Sequence, residues 1–213
     1  MFRWLIELDK DVLLYFNHIN SPIWDDIMWW ISRTNSWIPL YIILLGFIIY
    51  RERPYRFIYT VLFLILVVVL CDQISVLIKN LVERPRPTHD PDIADMVHIV
   101  NNYRGGKYGF VSSHAANTFG VAIYLVNQFK HFKWTLFLLA WATVVCYSRI
   151  YLGVHYPLDI FFGAILGMMI GIQCYVFKVR TVVYIERRLE IRKERKEEKR
   201  KAQMSECELK KRK

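Results

Sequence analysis

One uninterrupted apolar run constrains the fold of this chain more than any other feature of its sequence. Residues 57–70 carry no charged side chain, and the run continues to residue 78 with only Asp72, Gln73 and Ser75 interrupting it. Since a helix rises about 1.5 Å per residue, roughly 20 residues cross the hydrocarbon core of a bilayer. The run has that length, and it therefore predicts a transmembrane helix.

Further apolar segments predict additional membrane spans. They occupy residues 37–50, 115–129, 134–147 and 158–179. Some are short for a bilayer and need flanking residues or helix tilt to cross it. Because 54% of the 213 residues are hydrophobic and many of them cluster in these runs, we expect an integral membrane protein. The predicted fold class is all-α, a polytopic bundle of five to six membrane helices.

The N-terminal segment, residues 1–35, mixes apolar and aromatic side chains with charged ones. It lacks the basic start, the unbroken apolar stretch and the small-residue cleavage site of a secretory signal. Two amphipathic helices lying in the membrane interface fit this pattern, with Ser21-Pro22 as the break between them. A sixth span is the alternative, although its charges are costly at the centre of a membrane.

Positive charge is concentrated in segments that would lie on the same side of the membrane if the chain crossed it five times. These are residues 51–56, residues 130–133 and the tail at 181–213. The positive-inside rule makes that side cytoplasmic, so the remaining loops of the membrane domain, residues 36–180, face outside. Glutamate and basic residues recur every four positions in the tail, which predicts a solvated helix, with contact to anionic lipid headgroups as the alternative. These segments account for the net charge of +10, so no nucleic-acid partner is predicted.

Charged and polar side chains gather in three clusters where apolar segments end. Basic residues are costly beside hydrocarbon, so their grouping at span ends indicates a shared anionic ligand. Each cluster alone has an ordinary interpretation: a basic stop at the membrane edge, a solvated histidine or a helix cap. The members are Lys79, Arg84 and Arg86 in the first cluster, Ser112 and His114 in the second, and Arg149, His155 and Asp159 in the third.

The spacing within the clusters predicts phosphate chemistry. Pro157 suits the first turn of a helix, and Asp159 follows His155 at i+4, where a carboxylate can orient one imidazole nitrogen and leave the other as a nucleophile. Ser112 or Ser113 is a natural helix N-cap beside free backbone N–H groups that bind anions. The prolines that follow Arg84 and Arg86 keep the backbone of both arginines out of a helix. Their guanidinium groups suit bidentate contacts with phosphate.

Taken together, these residues resemble the type-2 phosphatidic acid phosphatase family. That family's pattern is a lysine, six residues and Arg-Pro; then Pro-Ser-Gly-His; then Ser-Arg, five residues, histidine, three residues and aspartate. This chain matches with Lys79…Arg86-Pro87, with Ser112-Ser113-His114 and with Ser148-Arg149…His155…Asp159, and both gap lengths agree. The resemblance covers about residues 55–180. It departs where Val111 and Ser113 replace proline and glycine.

The resemblance implies a role for each matched residue. His155 is expected to form a phosphohistidine, with Asp159 orienting it and His114 protonating the leaving group. The expected phosphate cradle is Lys79, Arg86, Ser112 and Arg149, with Arg84 ranked as an outer contact. The family needs no metal and no cofactor, and the four cysteines show no metal-ligand spacing.

The resemblance also implies a lipid phosphate substrate and a bacterial inner (plasma) membrane location. Because the three clusters lie on the side opposite the basic segments, the active site is expected to face outside or the periplasm. The N-terminal segment is similar to the short bacterial undecaprenyl-diphosphate phosphatases, so undecaprenyl diphosphate is the leading substrate expectation. Phosphatidylglycerophosphate and lipid A are the alternatives. A non-catalytic lipid-phosphate binder or transporter is an alternative of another class. The oligomeric state is not predicted.

Overall fold

The structure is a computed structural model that describes residues 3–211, apart from the side chains at positions 202, 203 and 205–211. Within these residues the regular structure is helical, and one isolated β-bridge pairs Pro85 with Tyr108. Two short 3-10 turns, Thr34–Trp37 and Pro87–His89, lie between the longer elements. The α-helices are α1 (Arg3–His18), α2 (Pro22–Ser32), α3 (Ile38–Arg51), α4 (Pro54–Val82), α5 (Ser113–Phe129), α6 (Phe132–Tyr151) and α7 (Pro157–Lys211).

The predicted all-α membrane bundle is confirmed. Among the described residues, four helical segments are long and apolar enough to cross a membrane: Thr34–Arg51, Pro54–Val82, Phe132–Tyr151 and Pro157–Lys201. Helix α5 has 17 residues and coincides with the remaining predicted span, residues 115–129. The five-span prediction therefore matches the helices α3 to α7, with boundaries that differ by a few residues.

Helices α1 and α2 form the N-terminal segment, and they meet at the predicted break. The Ser21 side chain accepts a hydrogen bond from Trp24 N at 3.4 Å, and Pro22 occupies the first turn, where its missing N–H costs nothing. Helix α1 buries Asp9, Lys10 and Asn17 on one face together with an apolar leucine. This polar face contacts the loop between α4 and α5, whereas the interfacial position of the segment stays a prediction.

Helix α5 lies between α4 and α6 and supplies much of the core. Tyr124 and Leu125 are fully buried on it, and the Tyr124 hydroxyl donates to the backbone carbonyl of Thr60 at 3.0 Å. Leu138 and Ala142 of α6 pack into the same cluster. The end of α5 that carries Ser113 and His114 is thereby held beside α4.

Glycines on α7 bring it into backbone contact with α5. A Cβ atom on Gly163 would lie 2.6 Å from the Ser112 carbonyl oxygen, and one on Gly167 would collide with the backbone of Ala116. One turn further on, a Cβ on Gly171 would lie 2.5 Å from the carbonyl oxygen of Gly120. Small residues at four-residue spacing allow this close approach in membrane helices. The contact places the start of α5 directly against the start of α7.

The chain divides into two compact units, Met1–Tyr175 and Val176–Lys213. The first holds every predicted site residue. In the second, the described residues continue α7 to Lys211, and the tail is helical to that point. Its cytoplasmic location stays a prediction.

Candidate active site

The chain leaves α4 on extended backbone, as its prolines predict. Glu83 adopts a left-handed conformation (φ 52°) that ends the helix. Arg86 N then donates to the Lys107 carbonyl at 3.0 Å, and Gly109 N donates to the Arg84 carbonyl at 2.9 Å. This short ladder fixes the backbone that carries both arginines.

Arg86 and Arg149 each present a buried N–H group without a hydrogen-bond partner in the described part of the chain, at Nη1 and Nε respectively. Arg86 Nε donates to the Tyr108 carbonyl at 3.0 Å, which anchors its side chain. Gly105, with φ of 68°, leaves room for the guanidinium, since a Cβ there would collide with Arg86 Nη1. Buried donors without partners are costly, and an anion bound between these arginines would satisfy them.

Arg149 is held by two residues that belong to none of the three predicted clusters. Its Nη1 donates to the Ser32 hydroxyl at the end of α2, and its Nη2 lies 3.4 Å from the Tyr103 hydroxyl. The guanidinium also lies over the Tyr103 ring, 5.7 Å from its centroid. Tyr103 belongs to a loop with turn-forming glycines, but no sequence signal distinguished Ser32.

The start of α5 contributes the second cluster. Ser112 caps the helix, and its backbone N–H donates to the Asp159 carbonyl at 2.9 Å. Ser113, the next residue, accepts a hydrogen bond from the Lys79 ammonium and lies 2.7 Å from the Ser75 hydroxyl. The predicted N-cap is confirmed, and Lys79 of the first cluster meets the second cluster here.

His155 and Asp159 lie together, although the connecting turn differs from the expected one. Helix α7 begins at Pro157, so His155 lies outside it. The Asp159 carboxylate reaches back across the helix start: its Oδ2 accepts from Tyr156 N at 3.1 Å and lies 3.5 Å from His155 Nδ1. That last distance is longer than a hydrogen bond, and catalytic contacts often tighten only when substrate binds.

The surroundings of His155 keep its imidazole neutral. Its side chain is fully buried, and this burial lowers the pKa well below the ordinary value. The positive charges of Arg86, Arg149 and Lys79 lower the pKa further. A neutral imidazole has a free lone pair, which is the form required of a nucleophile.

His114 belongs to the same group of side chains. It is half-buried at the start of α5, and electrostatic interactions connect it to Arg149, His155, Arg86 and Lys79. The structure therefore brings all three predicted clusters to one end of the bundle. Within the described residues, no three His, Cys, Asp or Glu side chains are grouped so that they could hold a metal ion.

Arg84 has different partners from those of the other cations. Its Nη1 donates to Asp159 Oδ1 at 2.9 Å and its Nη2 donates to Asp9 Oδ2 at 2.7 Å. Both terminal nitrogens therefore contact carboxylates. No sequence motif placed Asp9 in the site, although Asp9, Leu13 and Asn17 recur at the spacing of a single helix face.

Comparison with known proteins identifies the family. The sequence profile of the PAP2 superfamily matches residues 58–182, which is more than half of the chain. The chain belongs to the PAP2 superfamily. The chain is 38% identical over 169 residues to a lipid A 4′-phosphatase of Bacteroides thetaiotaomicron, covering 78% of this chain and 75% of that protein.

A second relative and a solved structure agree with this placement. A lipid A 4′-phosphatase of Porphyromonas gingivalis is 35% identical over 182 residues, covering 83% of this chain and 75% of the relative. The crystal structure of a PAP2-type phosphatidylglycerolphosphate phosphatase of Bacillus subtilis superposes with a TM-score of 0.65 at 19% identity, covering 84% of this chain and 88% of that one. This PAP2 protein is therefore a membrane lipid phosphatase.

Proposed function

We propose that this PAP2 protein hydrolyses the 4′-phosphate of lipid A. The observation that carries this proposal is the similarity to two lipid A 4′-phosphatases over 78% and 83% of the chain, which is more than the superfamily profile spans. These relatives favour the lipid A alternative over undecaprenyl diphosphate, the leading expectation from the N-terminal resemblance. The catalytic motifs are common to both substrate classes.

The proposed reaction begins with attack of His155 Nε2 on phosphorus. Asp159 receives the Nδ1–H hydrogen bond of that imidazole and stabilises the positive charge that develops on it. Arg86, Arg149 and Lys79 stabilise the negative charge on the transferring phosphoryl group. The buried, unpartnered N–H groups of the two arginines support this assignment, because they are donors without a present acceptor among the described residues.

His114 acts as the general acid in this scheme. It donates a proton to the leaving sugar oxygen as the P–O bond breaks, which yields the dephosphorylated lipid and phosphohistidine. Water then attacks the phosphohistidine, His114 accepts its proton, and inorganic phosphate and neutral His155 are released. Each step is a proton or phosphoryl transfer between groups of this chain and the substrate, so the proposal includes no metal and no cofactor.

A cavity beside the site supports a lipid substrate. Its volume is about 640 Å³, and it extends along α5 from Ser113 and His114 to Leu125. Twelve residues of helix correspond to about 18 Å. Most of the lining is apolar and comes from α3, α4, α5 and α6. A phosphate at the histidines would therefore have an apolar channel beside it for an acyl chain.

We further propose that the site faces outside or the periplasm, in a bacterial inner membrane, with the tail cytoplasmic. The support is the placement of the basic segments. Residues 52–53 and 130–131 connect helices at the end of the bundle opposite the site, and Arg51 directly precedes the first connection. Short basic loops remain cytoplasmic. Labelling of single cysteines at positions 52 and 106 with a membrane-impermeant maleimide in intact cells tests this: only position 106 should react.

The test of substrate is phosphate release by purified protein in detergent with EDTA. Lipid A, undecaprenyl diphosphate and phosphatidylglycerophosphate are supplied in parallel, with His155→Ala as the control. We expect release from lipid A, with mass spectrometry locating the loss at the 4′ position, and no release by the variant. Preference for either other lipid would overturn the lipid A assignment. Binding of all three without release would favour the non-catalytic alternative.

A further inference from the structure

The N-terminal helix α1 contributes a charged residue to the catalytic centre. We infer that Asp9 is a positioning residue that holds Asp159, and through it His155, by fixing the guanidinium of Arg84. Asp9 lies outside the segment matched by the superfamily profile. The inference rests on the proposed phosphoryl transfer at His155, and vanadate binding tests it independently of the choice of lipid.

A continuous set of contacts connects α1 to the nucleophile. Asp9 Oδ2 accepts from Arg84 Nη2 at 2.7 Å, and Asp159 Oδ1 accepts from Arg84 Nη1 at 2.9 Å. The other oxygen of Asp159 lies 3.5 Å from His155 Nδ1. Because a guanidinium is planar and rigid, fixing Nη2 also fixes the direction of Nη1. The position of the Asp159 carboxylate therefore depends on Asp9.

Asp9 also fixes the helix that carries Asp159. Its second oxygen, Oδ1, accepts from the backbone N–H of Leu158 at 2.9 Å, in the first turn of α7. One side chain of α1 thus holds both the start of α7 and the arginine that contacts Asp159. Neither contact is local, since the partners are 149 and 75 residues away in sequence.

Burial makes these contacts strong. The side chains of Asp9 and Asp159 are 1% and 0% exposed, and that of Arg84 is 20% exposed. A buried carboxylate that loses its cation is left uncompensated, which is strongly unfavourable. Arg84 is further held over the ring of Tyr156, 4.0 Å from its centroid. The Arg84 side chain is therefore confined between two carboxylates and an aromatic face.

This arrangement assigns Arg84 a role other than that of a further phosphate ligand. Both of its terminal nitrogens are used by carboxylates, whereas Arg86 and Arg149 retain buried N–H groups without partners among the described residues. The cations thus divide into two sets: one directed at the phosphate position and one that orients the carboxylate behind the nucleophile.

The first test is Asp9→Asn. The amide keeps an oxygen that can accept the hydrogen bond from Leu158 N, so the contact with the start of α7 is retained. It replaces the oxygen that accepts from Arg84 with an N–H donor, so the ion pair with Arg84 is lost. We expect kcat to fall 10- to 100-fold with KM within twofold of the wild-type value. Asp11→Asn is the matched control, since Asp11 is exposed on the same helix and its replacement should change neither constant.

A second variant tests the route through Arg84. Arg84→Lys keeps the charge, but one ammonium cannot reproduce the planar fork that spans both carboxylates, and kcat should fall similarly. In the Arg84→Lys background, Asp9→Asn should lower kcat less than twofold further. Independent, multiplicative losses would overturn the inference, as would wild-type kcat in Asp9→Asn. An effect on KM alone in either variant would also overturn it.

Orthovanadate provides a readout that does not depend on the lipid. As a five-coordinate phosphate analogue it bonds to a phosphate-accepting imidazole, so we expect tight binding by the wild type and at least tenfold weaker binding by folded, monodisperse Asp9→Asn. If wild type binds vanadate but releases phosphate from none of the three lipids, only the substrate assignment fails. Equal vanadate affinity in wild type and Asp9→Asn overturns the role of Asp9. A wild type that neither binds vanadate nor releases phosphate from any of the three lipids overturns both proposals.

Discussion

Ser113 accepts a hydrogen bond from the ammonium group of Lys79, at a position where the family pattern has glycine. The same hydroxyl lies 2.7 Å from that of Ser75, which is on the face of α4 one turn before Lys79. A glycine could provide neither contact. The departure from the family pattern therefore has a structural consequence: the lysine expected to bind phosphate is already held in place by the first residue of α5.

Ser113→Ala should lower kcat/KM about 3- to 10-fold. Removing one hydrogen bond to a charged group costs on the order of 1 to 2 kcal/mol, and Lys79 would lose its fixed position before phosphate binds. Steady-state kinetics on the preferred lipid phosphate measure this. Thr135→Ala, which removes an exposed hydroxyl on α6, is the control. An unchanged kcat/KM would show that Ser113 does not position Lys79.

The acid limb of the pH–rate profile should lie below pH 6.5. Burial, followed by the charges of Arg86, Arg149 and Lys79, lowers the pKa of His155 well below its ordinary value of 6.5. The nucleophilic, neutral form is present above the folded-state pKa, and activity is lost only as the pH falls through it. Measurement of kcat/KM between pH 4 and 9 in steps of about half a unit tests this.

Arg86→Gln should move that acid limb upward. It removes the cation with the largest electrostatic effect on the pKa of His155, so protonation would begin at higher pH, in addition to the loss of phosphate binding. Titration of ¹⁵N-labelled histidine by NMR in micelles, with the His155 signal assigned by His155→Ala, measures the pKa directly. In the wild type, an acid limb of the pH–rate profile at or above pH 6.5 would contradict the interpretation that the His155 imidazole is neutral.

Gly167→Ala should destabilise the protein. A Cβ at this position would collide with the backbone of Ala116, so α5 and α7 would have to separate, at a cost of about 1 to 3 kcal/mol. The melting temperature in detergent should fall, and activity should fall with it because Ser112 and Asp159 are joined across this contact. Gly46→Ala is the matched control, since a Cβ at Gly46 has no neighbour within 4 Å. Equal melting temperatures for the two variants would contradict the close-contact argument.

Val68→Trp should impair hydrolysis of long-chain lipid phosphates selectively. Val68 lines the apolar cavity, and an indole there would occupy space assigned to an acyl chain. We expect KM for the lipid to rise several-fold, with little change for a short water-soluble phosphate ester. Leu62→Trp, on the same helix but outside the cavity lining, should leave both unchanged. An equal effect on the two substrates would exclude the cavity as an acyl-chain site.

Several helices and helix ends could be predicted from the sequence because they depend on local chemistry. The run from residue 57 to residue 78 became the central part of α4 because no other backbone satisfies its polar groups in hydrocarbon. Ser21-Pro22 separated two helices, and Ser112 capped α5, because capping depends only on neighbouring residues. The three clusters came together at one end of the bundle because each lies at the end of a membrane span. The ends of all spans lie at one or the other surface of the membrane.

Tertiary structure alone decided which arginine contacts carboxylates and which retains a donor without a partner among the described residues. Arg84 and Arg86 are two positions apart on extended backbone and have the same side chain. Arg84 contacts Asp9 and Asp159, whereas Arg86 keeps a buried N–H group that has no partner in the described part of the chain. Asp9 and Ser32 entered the site through contacts with residues more than 70 positions away. Periodicity and capping report only on neighbours within a few residues, so the partners of a buried charge depend on how the helices pack.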